Sequence, residues 1–196
     1  MRIGLILLLV GIGGTYRTFQ EWRLSWSASS QAQEISLQEL QSRGAAGNPH
    51  VQVTGFTFGK DFVYTKPQYG DGFTKVWVPI VPGVAGSNGL PTSLPAEGIR
   101  VLVRSDKPHN MKEVDRFCER TTVKGLIVNG LDSLPDSHVE LLRRNYPGTD
   151  FSKVMILDEG REPLTASGGL LKQFGLFAGA MLLGFAILGG AMTGKA

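Results

Sequence analysis

FGLFAGAMLLGFAILGGAM, residues 174–192, is the stretch on which the reading of this chain turns. It is apolar throughout and carries no charge. As a helix rising about 1.5 Å per residue, it reaches roughly across the hydrocarbon core of a bilayer. We therefore expect a C-terminal transmembrane helix over residues 168–193. A second apolar run, residues 3–14, opens the chain behind Met1 and Arg2, which is the shape of a signal sequence. No small-x-small cleavage pattern follows Gly14, and Thr15, Tyr16 and Phe19 extend the run towards the interface. The reading preferred is an uncleaved signal-anchor helix over residues 1–19, with a cleaved signal peptide as the alternative.

Within the C-terminal run, Gly175 and Gly179 form a G-xxx-G pair, and Ala180 and Gly184 repeat the small-xxx-small spacing. Small residues let helices approach closely in lipid, so these four positions are the expected helix-packing face, towards another membrane protein or a second copy of the chain. The alternative is ordinary Gly/Ala usage. Residues 174–192 include no His, Asp, Glu, Lys or Arg, so the run offers neither a proton relay nor a strong haem ligand. The signal-like start places the intervening domain outside the cytoplasm, at the cell inner membrane or its equivalent, with both tails inside.

The bulk composition narrows the function classes. Net charge is +3, and 20 basic residues are interspersed with 17 acidic ones. No Lys/Arg run stands out, so there is no electrostatic case for nucleic acid as a partner. The single cysteine, Cys118, excludes an internal disulfide.

Residues 20–48 read as a juxtamembrane segment with a short helix. Ser36 and Glu39 fit a capping box, and the helix it starts ends near Gly44. Residues 49–163 read as a β-rich domain. Val51 and Val53 alternate with polar residues, but after Gly55 the apolar parity shifts to Phe56 and Phe58, which predicts a bulge or sharp bend at Gly55. Further strands are expected over residues 62–66, 73–81, 99–103, 123–129 and 154–157, with a hairpin turn at residues 69–72. Pro79 cannot donate to a ladder, which predicts an edge or a bulge there. Residues 82–95 form a long Gly/Pro/Ser-rich loop, and Pro82, Asn88, Leu90 and Pro95 mark it as the expected partner-binding loop. Helices are expected over residues 111–119 and from a second capping box at Ser137 and Glu140, ending before Pro147.

Little in the chain points to catalysis. His50, His109 and His138 are scattered, with no partner at metal-ligand spacing, so no metal site is expected. Cys118 beside Phe117 on an amphipathic face reads as a buried structural thiol rather than a nucleophile. No G-x-S-x-G, P-loop or post-strand G-x-G-x-x-G is present. Asp71, Asp106, Asp150 and Asp158 all stand next to turns, where Asp commonly bonds its own backbone. We expect no catalytic residue, no cofactor and no enzyme.

An apolar run at each end with a β-rich domain between them resembles the surfeit-locus family of cytochrome c oxidase assembly proteins. Local sequence agrees: VQVTGF at residues 51–56, VWVP at 76–79 and RVLVR at 100–104 are similar to strands of that family, and Arg17 and Arg23 are similar to its basic juxtamembrane stretch. The resemblance implies a role in assembling a respiratory oxidase. GGLLK at residues 168–172 stands where the family has its N-x-H/Y-A-type motif, so the haem-binding role of bacterial members is not carried over.

The resulting expectation is a membrane-anchored α+β protein, with N- and C-terminal transmembrane helices flanking a small, mainly antiparallel β-barrel-like domain with short helices. Its expected role is non-catalytic: an assembly or scaffold factor, or accessory subunit, for a membrane protein complex, with the lipid bilayer and other membrane proteins or itself as partners. A membrane-anchored hydrolase and a structural subunit of a larger complex are the alternatives.

Overall fold

The computed structural model describes residues 5–6, 9–10, 12–14, 27–45, 47–83, 98–128, 134, 136–163, 175–180, 182–185 and 187. The chain divides into two compact units. One is Ser29–Glu162, and the other combines Met1–Ala28 with Pro163–Ala196.

In the unit Ser29–Glu162, eight strands form one sheet: β1 (Gln33–Ser36), β2 (His50–Thr54), β3 (Phe56–Phe58), β4 (Val63–Thr65), β5 (Lys75–Pro82), β6 (Val101–Ser105), β7 (Val123–Val128) and β8 (Met155–Glu159). Among the described residues three α-helices accompany them, α1 (Leu37–Arg43), α2 (Met111–Cys118) and α3 (Asp136–Asn145), with a 3-10 turn at Phe151–Lys153. The strand order is β1-β2-β7-β8-β6-β5-β3, with β4 also paired to β5. β2 and β3 are consecutive, yet β2 pairs with β7 and β3 pairs with β5 at the far end of the order. The hinge is Gly55, whose φ of 68° lies in the left-handed region that glycine adopts without a Cβ penalty, and whose carbonyl accepts the Gly83 N–H at 3.2 Å. The parity shift after Val53 is the sequence trace of this bend. The sheet thus curls into a half-barrel.

The expected fold class is corrected in two respects. First, the sheet is mixed: β1 pairs with β2 and β6 with β8 in parallel. Second, among the described residues no helix is long and apolar enough to cross a membrane. This overturns the expected N- and C-terminal transmembrane helices, and with them the signal-anchor and the membrane-anchored class. Residues 3–14 offer a helix of only about 18 Å against a hydrocarbon core of about 30 Å.

β5 carries the packing on both faces. Val76, Val78 and Ile80 enter one core cluster with Val101, Val103, Leu37, Leu40, Val114 and Phe117, which brings in α1 and α2. Trp77 and Val81 enter a second cluster with Leu102, Leu142, Tyr146 and Phe151, which brings in α3. Strand alternation sends successive side chains to opposite faces, so an unbroken apolar strand serves both layers. Pro79 sits inside this interior strand, not at an edge. It falls between the residues that pair with β4 and those that pair with β3. Its carbonyl accepts the Gly59 N–H at 2.8 Å on that side, so the missing donor lies in the gap and the ladder to β6 is untouched.

The helix starts follow their caps with one exception. Ser36 accepts the Glu39 N–H at 3.2 Å. Asn110 accepts the Glu113 N–H at 3.1 Å, and Glu113 reaches back to the His109 N–H at 2.8 Å. Ser137 lies within α3 rather than before it, and its hydroxyl meets His138 Nδ1 at 3.3 Å instead of capping.

Candidate functional site

The expected site residues fall in different places. Gly175 and Gly179 are exposed, and a Cβ built on either would meet no heavy atom within 4 Å. Ala180 is half-buried and Gly184 is buried. The close approach within that unit occurs instead at Gly14, where a Cβ would overlap the Phe177 ring. Pro82 belongs to the other unit, exposed at the end of β5 and paired with Phe56. Asn88, Leu90 and Pro95 lie outside the described residues.

The histidines and the cysteine are occupied structurally. Each imidazole meets a backbone carbonyl: His50 Nδ1 lies 2.9 Å from Ser29 O, His109 Nδ1 3.1 Å from Phe73 O, and His138 Nε2 2.7 Å from Tyr64 O. Burial pushes the Cys118 thiol up to about 11, with the Asp115 charge adding to it, so the sulfur holds its proton at neutral pH and lacks the thiolate a nucleophile needs. Burial likewise raises the Tyr146 hydroxyl to about 12, against the lowering effect of its hydrogen bond to Asp61. That hydroxyl donates to the Asp61 carbonyl at 3.1 Å and accepts the Asp61 N–H at 3.3 Å.

The charged chemistry of this unit gathers where β6 and β8 end and β7 begins. Parallel pairing sets Arg104 of β6 beside Asp158 of β8. The guanidinium grips the carboxylate with two bonds, Nε to Oδ1 at 2.8 Å and Nη2 to Oδ2 at 2.5 Å, and Arg161 Nη1 adds a third at 3.2 Å. One residue on, Glu159 is half-buried as a residue, with its side chain only 5% exposed. Its Oε2 accepts from Ser105 Oγ at 2.7 Å, while its Oε1 accepts from both Lys107 Nζ at 2.7 Å and Arg120 Nη1 at 3.0 Å. Arg120 also lies over the Phe117 ring, 5.0 Å from its centroid.

Beside this network opens a cleft of about 380 Å³, walled by Lys107, Arg120, Lys124, Glu159, Gly160 and Arg161, with Glu162 at the same opening. Gly160 adopts φ 72°, and a Cβ there would stand 3.0 Å from Lys107 Nζ. Its N–H donates to the Lys124 carbonyl at 2.9 Å, tying the turn after β8 to β7. The cations come from positions 107, 120, 124 and 161, too far apart in sequence to form a run. Only the neighbouring positions of β6, β8 and β7 in the sheet bring them together. The one sequence trace is the dense charge of DEGRE at residues 158–162, which reads as a linker unless β8 is known to continue to Glu159.

Both carboxylates are held below their ordinary range. For each, burial acts to raise the pKa, and the bonds and charges of the partners outweigh it: Arg104 and Arg161 for Asp158, Lys107, Ser105 and Arg120 for Glu159. A depressed folded-state pKa contributes stability that is present above the unfolded carboxylate value near 4 and is lost as pH falls through the folded value. The melting temperature is therefore expected to fall as pH drops from about 5 towards 3. An Asp158→Asn, Glu159→Gln double variant should lose much of that slope, and equal slopes would show that other groups govern acid unfolding.

Comparison with known proteins gives no relative: no protein-family model, curated protein or solved structure matches the chain.

Proposed function

We propose that this protein is a non-catalytic assembly or scaffold factor, or an accessory subunit, for a membrane protein complex, with respiratory oxidase assembly as the specific case suggested by the surfeit-locus resemblance. One observation carries the reading. Of the large apolar side chains exposed among the described residues, ten lie in the unit formed by the two chain ends: Leu5, Ile6, Leu9, Val10, Ile12, Leu176, Leu182, Leu183, Phe185 and Ile187. Only Tyr69, Met111 and Leu141 join them from the other unit. Surfaces this rich in aliphatic carbon need a partner of like chemistry. Lipid and the flanks of membrane proteins both have it, and contact with them requires no helix that crosses the bilayer.

The open face at Gly175 and Gly179 is where a partner's backbone could approach closely. In this reading Ser29–Glu162 lies on the extracytoplasmic side of the inner membrane and presents its polar surface there. The test is a Gly175→Leu, Gly179→Leu variant of the full chain, purified from membranes in mild detergent beside the parent. Partners that co-elute with the parent in fixed ratio should be reduced at least several-fold with the variant, while the β-sheet circular dichroism is unchanged. Undiminished association would remove this face from the proposal.

A further inference from the structure

We propose that the cleft beside Glu159 is a binding site for a phosphate monoester. Four cations face one opening: Lys107 from the turn after β6, Arg120 from the connection between α2 and β7, Lys124 from β7 and Arg161 from the turn after β8. Glu159 and Glu162 are the carboxylates of the same lining, and Asp158, which Arg161 also touches, is matched by Arg104, so an excess of two positive charges remains. A phosphate monoester carries about −1.5 to −2 at pH 7 and matches that excess, whereas a lone carboxylate balances only half of it. The cleft volume, about 380 Å³, falls within the range of small-molecule sites and leaves room for a small carrier beside the phosphate.

Glu159 makes the site more than a patch of surface cations. Lys107 and Arg120 share one of its oxygens, and Ser105 holds the other, so the buried carboxylate fixes both cationic heads before any ligand arrives. An ammonium has three N–H donors and a guanidinium five, so one bond to Glu159 leaves each head with donors for a ligand. Preorganisation of this kind spares a ligand the cost of ordering long side chains. Glycine at 160 fits this turn because its φ of 72° lies in the left-handed region, and the absence of a Cβ leaves room for the Lys107 head, 3.0 Å from where it would stand. The ligand's phosphate could belong to a free ester or to a lipid headgroup, and the two share the recognition chemistry used here.

The test uses the full chain in detergent micelles, titrated with inorganic phosphate and with glycerol 3-phosphate and followed by calorimetry. In parallel, vesicle co-flotation compares phosphatidylcholine alone with phosphatidylcholine containing phosphatidic acid. Saturable phosphate binding is expected, weakened at least tenfold in Lys124→Gln, Arg161→Gln and unchanged in Lys153→Gln, which removes an exposed cation before the start of β8, at the opposite end of that strand from the cleft. Both variants should melt within a few degrees of the parent. Phosphatidic-acid-dependent flotation that the double variant loses would assign the ester to a lipid, and its absence alongside soluble binding would assign it to a free ester. No saturable binding of any of these probes, equal binding of acetate, or binding unaffected in the double variant would overturn the proposal. These outcomes need no protein partner, so they stand apart from the test of the Gly175 and Gly179 face.

Discussion

Trp77→Ala is expected to lower the unfolding free energy of the β-sheet unit by about 3–5 kcal/mol, the range for truncating a large buried aromatic. Trp77 is 1% exposed and stands in the strand that feeds both core layers. Its backbone pairs with Val63 on one side and Arg104 on the other, and its ring lies 5.9 Å from that of His138 on α3. Removing it leaves a cavity between the sheet and α3 that close-packed neighbours fill only in part. The indole Nε1 is buried without a hydrogen-bond partner. Trp77→Phe therefore sheds an unsatisfied donor along with some volume, and should cost much less, within about 1.5 kcal/mol. Denaturant unfolding followed by circular dichroism measures both. A Trp77→Ala variant within about 1 kcal/mol of the parent would mean that the α3 layer is not packed as described.

The second large effect is expected at Gly125. A single methyl group there would overlap the carbonyl oxygen of Asp158 on the neighbouring strand and crowd Glu159 Cα at 3.1 Å. Both obstacles are backbone, so no rotamer change relieves them. β7 and β8 would have to separate at the Gly125–Glu159 pair, which is the strand end that positions the cleft. Gly125→Ala should destabilise by about 3 kcal/mol, at the upper end for overpacking, and should abolish phosphate binding with it. Gly179→Ala provides the contrast within one chain: the added methyl meets open space, and stability should stay within about 0.5 kcal/mol of the parent. Similar losses at both positions would contradict the close approach of β7 and β8.

What the sequence discloses follows the range of the forces involved. Local rules left clear marks: the cap at Ser36, the bend at Gly55, the alternation of β5 and the stop of α3 before Pro147 are each written within a few residues. Pairing is another matter. β1 lies in the segment read as juxtamembrane, with no strand expected there, because four residues with one buried side chain, Ile35, carry no periodic pattern. The parallel partnership of β6 and β8 joins residues more than fifty positions apart, and nothing at either strand announces the other. Proline at 79 marked an edge by its chemistry, yet the edge it needed was only a gap between two short partners. The cleft was illegible for the same reason as the pairing, since its cations are assembled by the order of the strands.

At the chain ends, apolar composition alone suggested membrane-crossing helices, and composition does not fix helix length. It does describe the exposed surface, and that surface is what the proposed function rests on. The most direct measurement is to fractionate cells that produce the full chain into aqueous and mild-detergent extracts and purify it from each, with quantitative mass spectrometry of every co-eluting polypeptide. The account predicts membrane-protein subunits in fixed ratio to the chain. A chain recovered from the aqueous fraction without detergent and eluting by itself would contradict it.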